Sequence, residues 1–295
     1  RYVTQSLTSP PAVYEEDVRS GERTLLKQTP VPGVDLSRYR SSRSWATAAD
    51  GTQVPVDIVH LAETVADGSA PLVLEAYGSY EISEAPWFSI TRLSLLDRGV
   101  VWALAHPRGG GELGREWYLQ GKLLHKRNTF TDTIACVEHL VAQHWAHPGR
   151  LAVRGGSAGG LLVGACVTMR PELFRAAVAE VPFVDVVSTM SDPSLPLTVT
   201  EWEEWGDPLH DPEVYRCMKG YTPYENVPAG RFPAVLATTS LNDTRVEVTE
   251  PAKWVAELRR TVDDDPSRPI LLRTEMVAGH GGVSGRYQAW RDLAF

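Results

Sequence analysis

The chain is poor in cysteine and contains no long hydrophobic run. Its three cysteines, Cys136, Cys166 and Cys217, are widely spaced and form no CxxC pair. This pattern argues against a disulfide framework and against a zinc site, and it is typical of buried free thiols in a reducing compartment. No apolar run approaches the length of a membrane span, and the N-terminus shows no basic-then-apolar signal pattern. We therefore expect a cytoplasmic protein that binds neither a metal nor a membrane.

The chain also lacks an excess of positive charge. Its formal net charge is -8 at pH 7, which argues against a nucleic-acid surface and leaves room for a basic substrate. Its 295 residues suffice for one large domain with a substantial core, or for two small ones. No repeat of solenoid or propeller period appears.

Short apolar runs alternate with helical patterns from about residue 40 onward. Runs suited to buried strands lie at 71–77, 99–105, 176–181, 232–238 and 269–276, and another begins at residue 151. Residues 54–60 alternate as a half-buried antiparallel edge strand would. Helical patterns cover 129–145, 251–262 and 287–294. This order predicts an α/β fold with a mostly parallel sheet and helices on both faces, and with the functional site at the carboxyl ends of the strands.

Residues 1–39 differ from the rest of the chain. Prolines punctuate them, and residues 13–27 have the pattern of two short strands joined at a Ser20–Gly21 turn. Because a lone hairpin is at best marginally stable, we expect this segment to pack against something else. We assign residues 1–39 to the trailing segment and linker of a neighbouring all-β module, and residues 40–295 to the α/β domain.

One stretch, Leu151–Gly160, combines a short strand, a glycine-rich turn and the start of a small-residue helix. The glycines in Gly155-Gly-Ser-Ala-Gly159 allow a strained strand-to-helix turn that exposes the hydroxyl of Ser157. The helix N-terminus offers unpaired N–H groups and a positive dipole end to an oxyanion. This is the pattern of a nucleophile elbow. The alternative is a glycine-rich turn that only packs closely or binds a phosphate.

A nucleophilic serine needs a base, and the base needs an acid that orients it. On α/β-hydrolase folds the three follow in the order serine, acid, histidine. Asp243 comes just after the run 232–238, and His280 lies between glycines after the last predicted strand. Most other histidines lie in polar or helical settings, where a surface position is the default. We therefore predict Ser157, Asp243 and His280 as a catalytic triad.

Segments spread over nearly the whole chain from about residue 40 carry a family resemblance. They include Arg92–Gly99, Arg108–Gly114, Asn128–Asp132, Gly155–Gly160, Val181–Val187, Glu203–Gly206, Glu250–Val255 and Gly279–Arg286. In these segments the chain resembles the catalytic domain of the prolyl oligopeptidase family of serine peptidases, and most closely its oligopeptidase B branch. The resemblance implies an α/β-hydrolase fold that needs no cofactor. It also implies Ser157 as nucleophile, His280 as general base and then acid, and Asp243 as its orienter.

The resemblance further implies an oxyanion site. Its donors would be the backbone N–H of Ala158 and the hydroxyl of Tyr77, since a phenol can donate to an oxyanion from outside the backbone. Tyr80 is the alternative donor if the register differs, and a packed core tyrosine is the alternative role for Tyr77.

Likeness to oligopeptidase B implies cleavage after arginine or lysine, which needs carboxylates in the first pocket. Glu201 and Glu203, within Thr200–Trp205, stand at the positions of the family's acidic loop. We expect both side chains on one side of an extended segment, where they would clamp a guanidinium with charge-assisted bonds. Composition alone would favour a solvated acidic turn.

Two features depart from the oligopeptidase B pattern. Where its members often carry aspartates that hold a second basic residue, this chain has Ala85 and Trp87, with Glu81 and Glu84 nearby. A dibasic preference therefore does not follow. Arg245 stands where prolyl oligopeptidases carry an arginine that binds a substrate carbonyl, and we predict it as a substrate-binding residue rather than a surface arginine.

The family's N-terminal β-propeller, which caps the active site, is represented only by residues 1–39. We expect either that another chain supplies the propeller or that this is a cleaved or truncated form, so the expected partners are a short basic peptide and a propeller. The alternatives to a basic-specific oligopeptidase are an esterase or a prolyl-type oligopeptidase on the same fold, and an inactive fragment. A dinucleotide-binding loop at Arg108–Gly114 is disfavoured because no acidic residue follows at the end of the next expected strand.

Overall fold

The computed structural model describes residues 1–294, which form two β-sheets and their surrounding helices. The strands are β1 (Tyr2–Ser6), β2 (Ser9–Glu16), β3 (Arg23–Gln28), β4 (Tyr39–Thr47), β5 (Gln53–Leu61), β6 (Leu72–Glu75), β7 (Val101–Ala105), β8 (Leu151–Gly156), β9 (Ala176–Glu180), β10 (Ala234–Ser240) and β11 (Ile270–Glu275). The α-helices are α1 (Ile90–Leu96), α2 (Arg115–Leu119), α3 (Arg127–Ala142), α4 (Ala158–Met169), α5 (Val186–Met190), α6 (Thr198–Trp205), α7 (Pro212–Lys219), α8 (Thr249–Thr261) and α9 (Arg286–Leu293). Short 3-10 helices lie at Leu36–Arg38, Leu123–His125, Pro148–Arg150, Pro171–Leu173 and Tyr224–Asn226.

The larger sheet has eight strands in the order β11-β10-β9-β8-β6-β7-β5-β4. The pairings from β11 through β7 are parallel, and those of β5 with β7 and with β4 are antiparallel. The predicted α/β fold with a mostly parallel sheet is confirmed. The prediction that residues 54–60 form an edge strand is wrong, because β4 pairs along the outer side of β5 from Tyr39 to Thr47. Most side chains of β4 are charged or polar, as is typical of an edge strand. For the same reason β4 has no apolar run that would predict it from the sequence.

Strand β5 shows how the two faces of the sheet are covered. Val54, Val56 and Ile58 belong to the larger core cluster, which includes residues of α3, α4 and α8. Val59 and Leu61 belong to a smaller cluster with residues of α1. Alternate residues of a strand point to opposite faces, so helices on both sides bury this strand. Each such side chain contributes about 1.5–3 kcal/mol by its burial.

Residues 1–28 form a separate antiparallel sheet in the order β1-β2-β3. The pairing of β2 with β3 confirms the predicted hairpin, whose turn is closed by the N–H of Gly21 donating to the Asp17 carbonyl at 2.8 Å. This sheet packs against the larger domain, as expected. Leu7 is 4% exposed within the smaller core cluster, and the side chain of Gln5 accepts from the Phe88 N–H at 3.2 Å. Within residues 1–294 we find no helix with the length and apolar character needed to cross a membrane.

Candidate active site

Ser157 lies between β8 and α4, in the turn that the glycine pattern predicts. Its φ of 56° and ψ of -117° place it in a region that residues other than glycine rarely adopt. The surrounding backbone holds this strained conformation. The Ser157 N–H donates to the Glu180 carbonyl at 2.8 Å, and the Ser157 carbonyl accepts from the Phe183 N–H at 3.2 Å. The turn therefore has the geometry of a nucleophile elbow, with the serine side chain lining a cavity.

The glycines around Ser157 are required by close packing. A Cβ on Gly155 would lie 2.4 Å from the carbonyl oxygen of Gly159. A Cβ on Gly159 would lie 2.8 Å from the Ala76 carbonyl oxygen and 3.3 Å from a ring carbon of Tyr77. The elbow thus packs directly against the backbone that follows β6, and this close approach brings Tyr77 to the same cavity as Ser157.

Asp243 and His280 are joined by a hydrogen bond at the carboxyl ends of β10 and β11. Nδ1 of His280 donates to Oδ2 of Asp243 at 2.7 Å. The other oxygen, Oδ1, accepts the N–H groups of Arg245 at 2.9 Å and Val246 at 3.0 Å. The Asp243 side chain is 0% exposed and that of His280 is 21% exposed. This arrangement fixes the imidazole with its proton on Nδ1, which leaves Nε2 to act as a base.

No hydrogen bond joins Ser157 to His280 within residues 1–294. Ser157 and Asp243 line one cavity, whereas His280 lines a second one with Arg154 and Glu180. Hydrogen bonds to a catalytic base often tighten only in the substrate complex. The structure therefore brings the three predicted residues to one edge of the sheet and forms the acid–histidine pair among them.

The cavity at Ser157 has a volume of about 490 Å³ and an excess of negative charge in its wall. Its acidic residues are Asp243, Glu201, Glu247 and Glu250, and Arg245 is the basic residue among those that line it. Arg245 is exposed, as a residue that contacts substrate can be. A cationic side chain entering this cavity would be attracted by the surrounding carboxylates.

Tyr77 and Ala158, the predicted oxyanion donors, line the same cavity as Ser157. The Ala158 N–H is the first of α4 and donates to no other group of residues 1–294. Burial raises the pKa of Tyr77 to about 12, with the carboxylates of Glu84 and Glu201 adding to the effect. The Tyr77 hydroxyl therefore keeps its proton at neutral pH and can donate. The alternative donor, Tyr80, is already engaged, since its hydroxyl donates to Glu201 at 2.9 Å.

The prediction that Glu201 and Glu203 share one side of an extended segment is wrong. Both residues lie in α6, where side chains two positions apart point in different directions. Glu201 lines the cavity, whereas Glu203 is exposed and is not among the cavity residues. The residue on the same helix face as Glu201 is Glu204, three positions on, and it is 3% exposed.

Sequence reasoning missed two buried charged residues that hold the loop after β6. Lys126 donates to the Gly78 carbonyl and to the Ser79 hydroxyl, each at 2.7 Å. Glu204 accepts the Tyr80 N–H at 3.0 Å and lies 3.9 Å from the Lys126 ammonium. Tyr80 has a φ of 59° and Gly78 a φ of 68°. A strained loop of this kind persists when its surroundings over-determine it, and burial of the Lys126 ammonium lowers its pKa to about 8.

Glu250 is a third buried charged residue that the sequence did not single out as functional. It is 2% exposed, and it accepts the Thr189 hydroxyl at 2.6 Å and the Asp185 N–H at 2.9 Å. Burial raises its pKa from 4.5 to about 7, although these hydrogen bonds act in the opposite direction. A titrating carboxyl therefore lies in the wall of the cavity.

We expect Glu250→Gln to flatten the pH dependence of stability between pH 4.5 and about 7. In this window the folded protein holds the Glu250 proton and the unfolded chain does not. The stability that this proton contributes is present below pH 4.5 and is lost as the pH rises through about 7. Glutamine does not titrate, so the variant should lose less stability than the wild type when thermal unfolding is compared at pH 5 and pH 7.5. Equal losses of stability in the variant and the wild type would contradict a raised pKa of Glu250 in the folded protein.

Comparison with known proteins places the chain in a family. The profile of the prolyl oligopeptidase family matches residues 86–295. Dipeptidyl aminopeptidase BI of Pseudoxanthomonas mexicana is 50% identical over 295 residues, which is 100% of this chain and 40% of that protein. Protease 2 of Moraxella lacunata is 47% identical over 291 residues, which is 98% of this chain and 42% of that protein.

Solved structures give the same result. Oligopeptidase B of Leishmania major matches with a TM-score of 0.94 at 44% identity, over 99% of this chain and 40% of that one. Oligopeptidase B of Trypanosoma brucei with covalently bound antipain matches with a TM-score of 0.93 at 46% identity, over 98% of this chain and 41% of that one. The chain thus spans about two fifths of the length of these relatives. A family profile that covers most of the chain, and relatives about half identical along nearly all of it, show that this chain belongs to the prolyl oligopeptidase family.

Proposed function

We propose that this chain carries the catalytic site of a serine oligopeptidase that hydrolyses short peptides after arginine or lysine. The observation that carries the proposal is the 2.7 Å hydrogen bond between Asp243 and His280 at the sheet edge where Ser157 occupies its strained turn. Nucleophilic acyl transfer requires an accessible serine and a histidine that an acid orients.

The reaction would proceed through an acyl-enzyme. Oγ of Ser157 attacks the scissile carbonyl carbon while Nε2 of His280 takes the hydroxyl proton, and Asp243 stabilises the imidazolium that results. The oxyanion accepts hydrogen bonds from the Ala158 N–H and the Tyr77 hydroxyl. The C–N bond breaks as His280 passes its proton to the leaving amine. Water then attacks the acyl ester with His280 again as the base, which releases the acid product and restores the serine.

The charge of the cavity supports a basic side chain next to the scissile bond. Glu201 lines the cavity together with Ser157, and the other carboxylates of the wall add to the negative potential. Glu203, the second predicted ligand, is exposed, and we assign the substrate contact to Glu201. Arg245 lines the same cavity, and we assign it to a carbonyl of the substrate backbone.

The proposal extends to the surroundings of the domain. Residues 1–28 form a sheet separate from the α/β sheet, and we assign residues 1–39 to the trailing segment of the family's propeller and its linker. The cysteines are all unpaired, and Cys136 and Cys166 are buried, which fits a reducing compartment such as the cytoplasm.

We expect Glu201→Gln to lower kcat/KM for an arginyl amide by roughly 10- to 100-fold, because a hydrogen bond to a charged group contributes about 1.5–3 kcal/mol. A matched neutral amide should change by less than about twofold, since it forms no ion pair with this residue. Steady-state rates on the two substrates give the comparison. Glu203→Gln is the matched control, because it removes an exposed carboxylate from the same helix. A loss of equal size on both substrates would exclude Glu201 as the residue that selects the basic side chain.

A further inference from the structure

We propose that Tyr80 and Trp205 determine how Glu201 contacts the substrate cation. By occupying one oxygen of the Glu201 carboxylate, they leave the other oxygen for the substrate, so that the pocket accepts arginine and lysine almost equally. This inference rests on the proposed function for the basic character of the substrate. It goes further by naming the residues that set the form of the contact.

Two donors converge on Oε2 of Glu201. The Tyr80 hydroxyl donates to it at 2.9 Å, and the Trp205 indole N–H lies 3.1 Å from it. The same indole nitrogen lies 3.0 Å from the Tyr80 hydroxyl oxygen, and the two rings meet edge to face with centroids 5.6 Å apart. Burial raises the pKa of Tyr80, and the negative charge of Glu201 raises it further. The hydroxyl therefore stays protonated and remains a donor.

Both donors are fixed in position by their surroundings. Trp205 is 1% exposed, packs against the Phe183 ring at 5.2 Å between centroids, and has the Lys126 ammonium 4.9 Å from its ring centre. Tyr80 is anchored through its backbone N–H, which donates to Glu204 at 3.0 Å. Neither donor can move away without breaking these contacts, so the cation meets a carboxylate that is already partly engaged.

The hydrogen-bonding sites that remain on the Glu201 carboxylate determine how it can bind a cation. A carboxylate has about four lone-pair sites, two on each oxygen. Tyr80 and Trp205 use those of Oε2, whereas Oε1 of Glu201 accepts no hydrogen bond from within residues 1–294. A guanidinium that binds side-on needs both oxygens. An arginine side chain is therefore restricted to Oε1, where a lysine ammonium binds equally well as a point charge.

The neighbouring carboxylates of α6 do not complete a second clamp. Glu203 is exposed and lies outside the cavity wall. Glu204 is buried, and its two oxygens accept the Tyr80 N–H at 3.0 Å and the Tyr118 hydroxyl at 2.7 Å. Of these three glutamates, Glu201 alone reaches the cavity, which makes its free oxygen the contact point on this helix.

The test is to free Oε2. We expect the wild-type chain to hydrolyse matched arginyl and lysyl amides with kcat/KM values within about threefold of each other. Tyr80→Phe should raise the arginyl-to-lysyl ratio of kcat/KM by roughly tenfold, because arginine then gains one charge-assisted hydrogen bond to Oε2. Tyr118→Phe is the matched control. It also removes a hydroxyl that donates to a glutamate of α6, but that glutamate is Glu204, so the ratio should stay at the wild-type value.

Calorimetric affinities for butylguanidine and butylamine, which carry the two head groups alone, give the same ratio without any turnover. An unchanged ratio in folded Tyr80→Phe, or an equal rise in Tyr118→Phe, would overturn the inference. Binding of butylguanidine by the wild-type chain more than about tenfold tighter than butylamine would also overturn the inference. This measurement does not depend on the folding of any variant. Failure of the proposed function is distinguishable, because the wild-type chain would then favour neutral substrates over both basic ones.

Discussion

Replacing Ser157 by alanine is expected to lower kcat for an arginyl amide by roughly a millionfold, the loss that follows removal of the nucleophile of a serine protease. Alanine lacks the oxygen that forms the acyl ester, so only the slow background reaction in the site remains. Substrate affinity should change little, because Glu201 and the rest of the cavity wall are untouched.

The variant should fold normally. The hydrogen bonds of Ser157 that hold the elbow come from its backbone, to Glu180 and Phe183, and its side chain makes no capping hydrogen bond to α4. Single-turnover rates and thermal unfolding, measured on the same preparation, separate loss of chemistry from loss of structure. Wild-type turnover by folded Ser157→Ala would remove Ser157 from the mechanism.

Asp243→Asn should lower kcat by roughly ten-thousandfold, because an asparagine in this position favours the wrong histidine tautomer. The carbonyl oxygen of the introduced side-chain amide can still accept the N–H groups of Arg245 and Val246, so the turn is preserved. The NH₂ group of the same amide, however, then faces Nδ1 of His280 and donates to it. The proton of the imidazole is displaced to Nε2, which can no longer accept the proton of Ser157.

The chain offers a matched control for this substitution. Asp207 and His210 form a second aspartate–histidine hydrogen bond, also of 2.7 Å, at an exposed site away from the cavity. Asp207→Asn makes the same chemical change in the same kind of pair and should leave kcat unaltered. Similar kcat values for Asp243→Asn and Asp207→Asn would show that Asp243 does not orient the base.

The sequence predicts the fold well where the signal is local. Buried parallel strands are recognisable in the sequence as short apolar runs. The elbow is recognisable by its glycines, which close packing requires. Strand β4 gives no such signal because most of its side chains are polar, and it is defined by its pairing with β5 along its whole length. The sequence of Thr198–Trp205 predicts an extended segment, since two glutamates flanking a tryptophan show an alternating pattern, but a short helix can carry the same pattern.

The residues of the candidate site also differ in whether a local sequence pattern predicts them. Asp243 and His280 could be predicted because each follows a recognisable strand, and glycines flank the histidine. Lys126, Glu204 and Glu250 could not, because isolated charged residues are normally exposed and become buried only when distant groups satisfy them. Lys126 finds its partner 48 residues away along the chain, and Glu204 accepts from a backbone N–H 124 residues away. Such partners exist only once the sheet has assembled.

Covalent labelling with an arginyl phosphonate ester, followed by peptide mapping, tests the nucleophile most directly. We expect one adduct, on the Ser157 hydroxyl, that forms faster than the adduct of a matched neutral phosphonate and is absent from Ser157→Ala. An adduct on any other residue, or equal labelling of Ser157→Ala, would contradict the assignment of Ser157 as the nucleophile.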